Sequence, residues 1–270
     1  MNYKTVLTIA GSDSGGGAGI QADIKAISAC GCYASSAITA ITVQNTLGVT
    51  DVHPVPIPII EGQIEAVLSD IGADAIKIGM LHSAEVVRAV ASELDRFGVR
   101  NIVLDPVMVS TSGHRLIEES AIKVLREVLV PRARIITPNI PEAEILLGRR
   151  ILSEEELPLC AKELSMGGRV SVFLKAGHLT DETLTDVFYN AETDRILSLP
   201  SARIHTPNTH GTGCTLSSAL AARLALGEDI EEAARNAKDY INKAIVSGAR
   251  YSIGHGHGPV NHFFVLSDNQ

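Results

Sequence analysis

Apolar, mostly β-branched runs recur along the chain at residues 5–10, 37–43, 75–78, 102–104, 135–137 and 170–174. Each has the length of a strand. Between several of them the apolar positions fall three or four apart instead. Ile60, Ile64, Val67, Leu68 and Ile71 form one such set, and Val86, Val87, Val90, Leu94 and Phe97 another; each lies along one stripe of a helix. The strand runs are continuously rather than alternately hydrophobic, which requires burial on both faces and so a mostly parallel sheet flanked by helices on both sides. Farther on, residues 186–190 and 195–199 enclose the polar Ala191-Glu192-Thr193-Asp194, a hairpin-length loop that predicts an antiparallel edge. Residues 19–29 and 215–226 read as helices, the second closed by Gly227, and Asp229 with Glu232 predicts a capping box for a last helix through Ser247. The expected fold is doubly wound α/β, with residues 1–270 forming one domain.

Polar and glycine-rich segments collect where these strands end. Gly11-Ser12-Asp13-Ser14-Gly15-Gly16-Gly17-Ala18-Gly19 follows the first and Gln44-Asn45 the second. Gly79-Met80, Asp105-Pro106-Val107-Met108, Thr137-Pro138-Asn139 and Lys175-Ala176-Gly177-His178 follow the next four. In a parallel sheet these ends share one edge, where ligands bind, so one cleft gathers them. A seventh segment, Asn208-Thr209-His210-Gly211-Thr212-Gly213-Cys214, runs straight into a helix. Glycines there let backbone N–H groups approach a ligand, and the new helix adds unpaired donors and the positive end of its dipole. An anion, phosphate first, is the expected guest. Cys214 stands in the first turn, where a thiol is usually acidified, so a proton acceptor is expected beside it.

Composition narrows the classes. The 270 residues are 45% hydrophobic and carry a formal net charge of −8, enough for a large core and the wrong sign for nucleic acid. The first residues lack the ordered layout of a signal peptide, and the uncharged stretch 26–50 is too rich in Ser, Thr, Gln and Asn to span a bilayer; a soluble, cytoplasmic protein is expected. Cys30-Gly31-Cys32 has neither redox nor zinc-knuckle spacing, so free buried thiols are expected. A Walker loop is excluded, because no GxxxxGK followed by Ser or Thr occurs. A dinucleotide fingerprint is disfavoured because Gly211-Thr212-Gly213-Cys214-Thr215-Leu216 comes late and ends in leucine. A thiol hydrolase on Cys214 and His210 lacks a nameable third group.

The segments 10–23, 105–108, 137–139 and 208–214, with Gly254-His255-Gly256-His257-Gly258-Pro259-Val260-Asn261-His262, resemble the hydroxymethylpyrimidine/phosphomethylpyrimidine kinases of the ribokinase-like superfamily almost end to end. The resemblance implies transfer of phosphate from ATP to 4-amino-5-hydroxymethyl-2-methylpyrimidine and then to its monophosphate, in thiamine synthesis, by a homodimer. It also implies roles. Gln44 reads the amino and ring-nitrogen edge of the pyrimidine, as an amide can by offering donor and acceptor together, and Gly11, Asp23, Met80 and Val107 frame the ring. Cys214 is the base, and the N–H groups of Gly211, Thr212, Gly213 and Cys214 hold the transferring phosphoryl. Asn139 and Glu142 form an NxxE element that helps place Mg²⁺, with Asp105 joining through water. Lys175 and Thr209 serve the ATP phosphates, while His178 and His210 are left without a role. The chain departs from the family pattern at Ala176, where a second glycine is common, and at His114 after Ser112-Gly113, where an acid is common. Two rivals stay open at this point: a pyridoxine or pyridoxal kinase, whose substrate is also a hydroxymethyl-bearing nitrogen ring, and a pyrimidine-binding module without turnover.

Overall fold

The structure is a computed structural model that describes residues 3–108, 116–177 and 183–267. The strand β1 (Thr5–Asp13) and helix α1 (Gly19–Ala29) come first, followed by the antiparallel pair β2 (Tyr33–Asn45) and β3 (Gly48–Pro54). Helix α2 (Ile57–Asp70), β4 (Ala75–Ile78), α3 (Ala84–Phe97), β5 (Ile102–Leu104), the short α4 (Glu119–Val124) and β6 (Ile135–Ile136) alternate next. Then come α5 (Ile140–Leu147), α6 (Leu157–Leu164), β7 (Ser171–Leu174) and the hairpin β8 (Thr183–Asn190) and β9 (Arg195–Ala202). Helices α7 (Thr212–Ala225), α8 (Ile230–Gly248) and α9 (Phe264–Ser267) follow. The nine strands form one sheet in the order β3-β2-β1-β4-β5-β6-β7-β8-β9.

From β2 to β7 every neighbour is parallel, and β3, β8 and β9 run antiparallel at the two margins. Continuous hydrophobicity marks the central strands for the reason expected: all residues of β4, β5, β6 and β7 are buried. Helices α2 to α6 cover one face, where Ile60, Ile64, Val90, Leu94, Leu146 and Leu164 share a core; α1, α7 and α8 cover the other through Ile27, Leu220 and Ile241. The second antiparallel margin, β3, was not anticipated. Its residues are mostly exposed, so Thr50, Asp51 and His53 break any hydrophobic run that would announce a strand. Asp229 caps α8 by accepting from the backbone N of Glu231 and Glu232, 3.0 and 2.9 Å. The four cysteines are free, with Cys30, Cys32 and Cys160 buried. Among the described residues no helix is long and apolar enough to cross a membrane.

Candidate active site

The parallel strands end at one edge, and a cavity of about 640 Å³ opens there. Gly11, Gln44, Met80 and Val107 line it, and so do Asn139, Lys175 and Thr209. Asp105, Glu142 and the turn Gly211-Thr212-Gly213-Cys214 complete the set. Three remote stretches of chain, carrying Gln44, Lys175 and Cys214, thus meet in one crevice. His178 and the segment Ser112-Gly113-His114 lie outside the described residues.

The turn before α7 is shaped by two glycines packed against each other. Gly211 has φ +78°, and a Cβ placed on it would run into the carbonyl oxygen of Gly17. A Cβ on Gly17 would in turn strike the His210 ring. Only glycine fits either position, so the loop after β1 and the turn before α7 interlock. Of the four N–H groups expected to hold an anion, that of Thr212 points back to Thr209 O at 3.3 Å. Those of Gly213 and Cys214 begin the helix, where no earlier carbonyl of the helix can accept them. Lys175 Nζ approaches this turn closely, 3.2 Å from where a Gly213 Cβ would lie.

Charge is concentrated beneath the turn. Asp105 Oδ1 accepts from Thr137 Oγ1 at 2.8 Å and from Lys175 Nζ at 3.0 Å. Burial opposes the Asp105 charge, but Lys175 and Lys77 hold its carboxyl below the usual range. Asn139 caps α5 in a complete capping box: its side chain accepts from Glu142 N and Glu142 Oε2 accepts from Asn139 N, both at 2.9 Å. The NxxE spacing is therefore a helix start that turns a buried carboxylate toward the cleft. Burial, with the Asp105 charge adding to it, pushes the Glu142 carboxyl up to about 7 despite Lys175. Asp105, and Glu142 once it has lost its proton, set carboxylate oxygens beside Lys175, a donor set that suits a hard divalent cation.

Two expectations change. Asp23 does not face the cavity. It is fully buried on the inner face of α1, where both carboxylate oxygens receive Lys77 Nζ at 2.8 Å and hydroxyls arrive from Thr8 at 2.6 Å and Ser218 at 2.7 Å. It serves as the counter-ion of a lysine, so Lys77 takes the place at the wall that was expected of Asp23. Cys214, partly exposed as a residue, is not acidified by its helix terminus. Burial pushes its thiol up to about 11, and Lys77, which lowers it, is offset by Asp23 and Asp105. Lys77 itself stays charged: burial works against it, and Asp23 ahead of Cys214 and Asp105 outweighs burial. Its signal in the sequence was a charge inside the otherwise apolar Ala75-Ile76-Lys77-Ile78.

A second polar group went unassigned in the sequence. Asp13 Oδ1 accepts from Gly15 N at 2.8 Å, and Oδ2 accepts from Gly17 N at 3.0 Å and Ala18 N at 2.8 Å and meets His210 Nε2 at 2.8 Å. His210 also contacts Gln44, while its backbone N donates to Gly258 O at 3.0 Å. The segment around Gly258 reaches Thr46 as well, since His255 N and Gly256 N donate to Thr46 Oγ1 and His257 N to Thr46 O. Residues 254–259 therefore strap the β2–β3 turn to the turn before α7.

A mostly parallel sheet with helices on both faces, its carboxyl strand ends opening on a cleft that takes in a glycine turn at a helix start, is the architecture of ribokinase-like small-molecule kinases. The chain belongs to the phosphomethylpyrimidine kinase family, whose model matches residues 13–261. It is 49% identical over 258 residues to a hydroxymethylpyrimidine/phosphomethylpyrimidine kinase of Rhizobium meliloti, covering 95% of this chain and 96% of that one. Among solved structures, a phosphomethylpyrimidine kinase from Clostridium difficile superposes with a TM-score of 0.79 at 43% identity, over 90% of this chain and 99% of the other. The ADP complex of a Bacillus subtilis pyridoxal kinase gives 0.88 at 35% identity, over 98% and 99%.

Proposed function

We propose that the protein transfers the γ-phosphoryl of ATP to the hydroxymethyl group of 4-amino-5-hydroxymethyl-2-methylpyrimidine and then phosphorylates the monophosphate, in the pyrimidine branch of thiamine synthesis. A single domain in the cytoplasm carries both steps. The observation that supports this most is the convergence of Gln44, Lys175 and the Gly211–Cys214 turn on one cavity. Gln44 reads the ring edge, Gly11, Met80 and Val107 pack the ring and its methyl, and the α7 N-terminus with Lys175 faces the phosphates. Cys214, as thiolate, takes the proton from the substrate hydroxyl while that oxygen bonds to the γ-phosphorus and the bond to ADP breaks. The Lys77 charge favours the thiolate at that moment. Donors fixed in place before the reaction stabilise charge as it develops. Glu142, with Asp105 through water, would hold Mg²⁺ and Asn139 would keep Glu142 in place; the ion neutralises phosphate charge when bound. Thr209 and Lys175 belong to the ATP side.

The decisive experiment is incubation with Mg·ATP and the pyrimidine alcohol, its monophosphate or pyridoxine, with products read by mass spectrometry. ADP and a phosphorylated pyrimidine are expected, and ligand binding without product would favour a non-catalytic module. The pyridoxal kinase reading has one observation behind it, the higher TM-score of the Bacillus subtilis structure. Faster turnover of pyridoxine than of either pyrimidine would reverse our order. We also propose a homodimer, in keeping with the exposed Ile41, Val43 and Leu47 on the β2–β3 side; a monomeric mass in sedimentation would exclude it.

A further inference from the structure

The oxygen and nitrogen of a glutamine amide are told apart by their partners, and around Gln44 the partners demand one arrangement. Thr42 Oγ1 lies 2.9 Å from Ser12 O and 2.9 Å from the amide's Oε1 position. A hydroxyl has one proton. Ser12 O, a carbonyl, can only accept it, so both contacts are satisfied together only when Thr42 donates to Ser12 and accepts an N–H from the amide. On the amide's other arm, His210 Nε2 stands 3.4 Å from the Nε2 position of Gln44 and 2.8 Å from Asp13 Oδ2. Burial opposes ionisation of Asp13, yet His210 and the N–H groups of Ala18 and Gly15 hold its carboxyl below the usual range. An ionised carboxylate at that distance takes the proton on His210 Nε2. With that proton given to Asp13, His210 Nε2 has no lone pair left for the Gln44 amide 3.4 Å away, so the amide's oxygen fits there better than its N–H. Both arms therefore turn the amide the same way, nitrogen toward Thr42 and oxygen toward His210.

We propose that Thr42 and the Asp13–His210 pair lock the Gln44 amide in this single orientation and thereby set which ring edge the site accepts. The three residues that flank the amide are nearly closed to solvent, with relative exposures of 4% for Thr42, 2% for Asp13 and 7% for His210, while Gln44 itself is half-buried and opens onto the cavity. Held this way, Gln44 presents donor and acceptor in a fixed order. That order suits an amino group beside an unprotonated ring nitrogen. The 4-oxo analogue, an acceptor beside a ring N–H, needs the reverse order, and turning the amide over would set N–H against N–H at His210 and make Thr42 give up its bond to Ser12 O in order to donate to the amide oxygen. Polar groups left unpaired in this way reject an analogue far more strongly than a missing methyl does. His210 also directly precedes Gly211, so the residue that fixes ring recognition belongs to the turn that faces the phosphate. Thr42 and His210 are positioning residues in this account, because they act through Gln44.

The inference rests on the proposed reading that Gln44 contacts the ring, and its test separates the two. The aminopyrimidine alcohol and its 4-oxo analogue are compared as substrates, and as ligands by calorimetry, for the wild type, Thr42→Val and His210→Leu. The wild type should prefer the amino compound by about 10²-fold or more. Each variant should lose at least about tenfold of that ratio, since an unlocked amide can serve either ring, while in Thr42→Val KM for ATP stays near its wild-type value. Adding Gln44→Ala to either variant should leave the ratio where Gln44→Ala alone puts it. His210→Leu leaves Asp13 without its partner and is the variant at risk of misfolding, so Thr42→Val decides. An unchanged ratio in Thr42→Val, by turnover or by Kd, overturns the proposal. A wild type that binds and selects the amino compound without phosphorylating it would sink the kinase reading and leave this one standing.

Discussion

The elevated Cys214 thiol is the feature with the sharpest kinetic consequence. At pH 8 a group titrating at about 11 is three units from its midpoint, so roughly one molecule in a thousand carries the thiolate, a deficit of about 4 kcal/mol at 1.36 kcal/mol per unit. If that thiolate takes the substrate's proton, the logarithm of kcat/KM for the pyrimidine alcohol, which reports the enzyme before the alcohol binds, should climb with a slope near one from pH 7.5 to 9.5 without levelling. Cys214→Ala should run about 10²- to 10⁴-fold slower and lose the climb. The assay is initial rate against pH with Mg·ATP saturating, paired with alkylation of Cys214 by iodoacetamide followed on its peptide, whose midpoint should lie above pH 10. A wild-type profile that levels below pH 9, or a Cys214→Ala enzyme that keeps both rate and slope, would refute the reasoning.

Three further outcomes are expected. Lys77→Met strands Asp23, a fully buried carboxylate, and should cost about 3–5 kcal/mol in chemical denaturation, with Lys77→Met/Asp23→Leu recovering a good part; a single variant within 1 kcal/mol of wild type, an increment of about the size of one exposed pair, would show the pair to be dispensable. Gly211→Ala places a side chain at φ +78° and against Gly17 O, so the interlocked loops must part and kcat should fall by about 10²-fold for a shift of an ångström; wild-type kcat would disprove the interlock. Glu142 ionises near pH 7 when no cation is present, so Mn²⁺ affinity by paramagnetic resonance should tighten between pH 6 and pH 8, as a raised carboxylate gains its charge only when the pH passes its midpoint. Glu142→Gln should bind Mn²⁺ weakly at both, and an unchanged affinity would remove Glu142 from the metal site.

Much of the molecule was legible in the sequence, and the reasons differ by element. Strands β4 and β5 have the bounds the apolar runs predicted, because a strand buried on both faces leaves no other pattern. The shared cleft followed from polar residues at successive strand ends, which a parallel sheet must bring to one edge. The identity of β3 was hidden because an exposed margin strand needs no apolar run. Asp23 was misplaced because a carboxylate on a helix reads equally as ligand contact or solvent charge until the lysine opposite it is known, and Lys77 is 54 residues away. Acidification of Cys214 was expected from a local rule about helix termini; burial and the carboxylates of Asp23 and Asp105 reverse it, and these arrive only with the tertiary fold. His210 sat in plain view beside the glycine turn, but its task depends on Asp13, 197 positions earlier.

The strap over Thr46 has a meaning for how the molecule is made. His255 closes onto a residue 209 positions upstream. At the usual speed of ribosomes, about 5–20 residues per second, roughly ten to forty seconds pass between the synthesis of the two. During that interval a nascent chain can already pair β1 with β2 and β4, yet the turn before α7 lacks the backing that Gly258 gives His210. The turn before α7 is thus left without this support until residues 254–258 have been made.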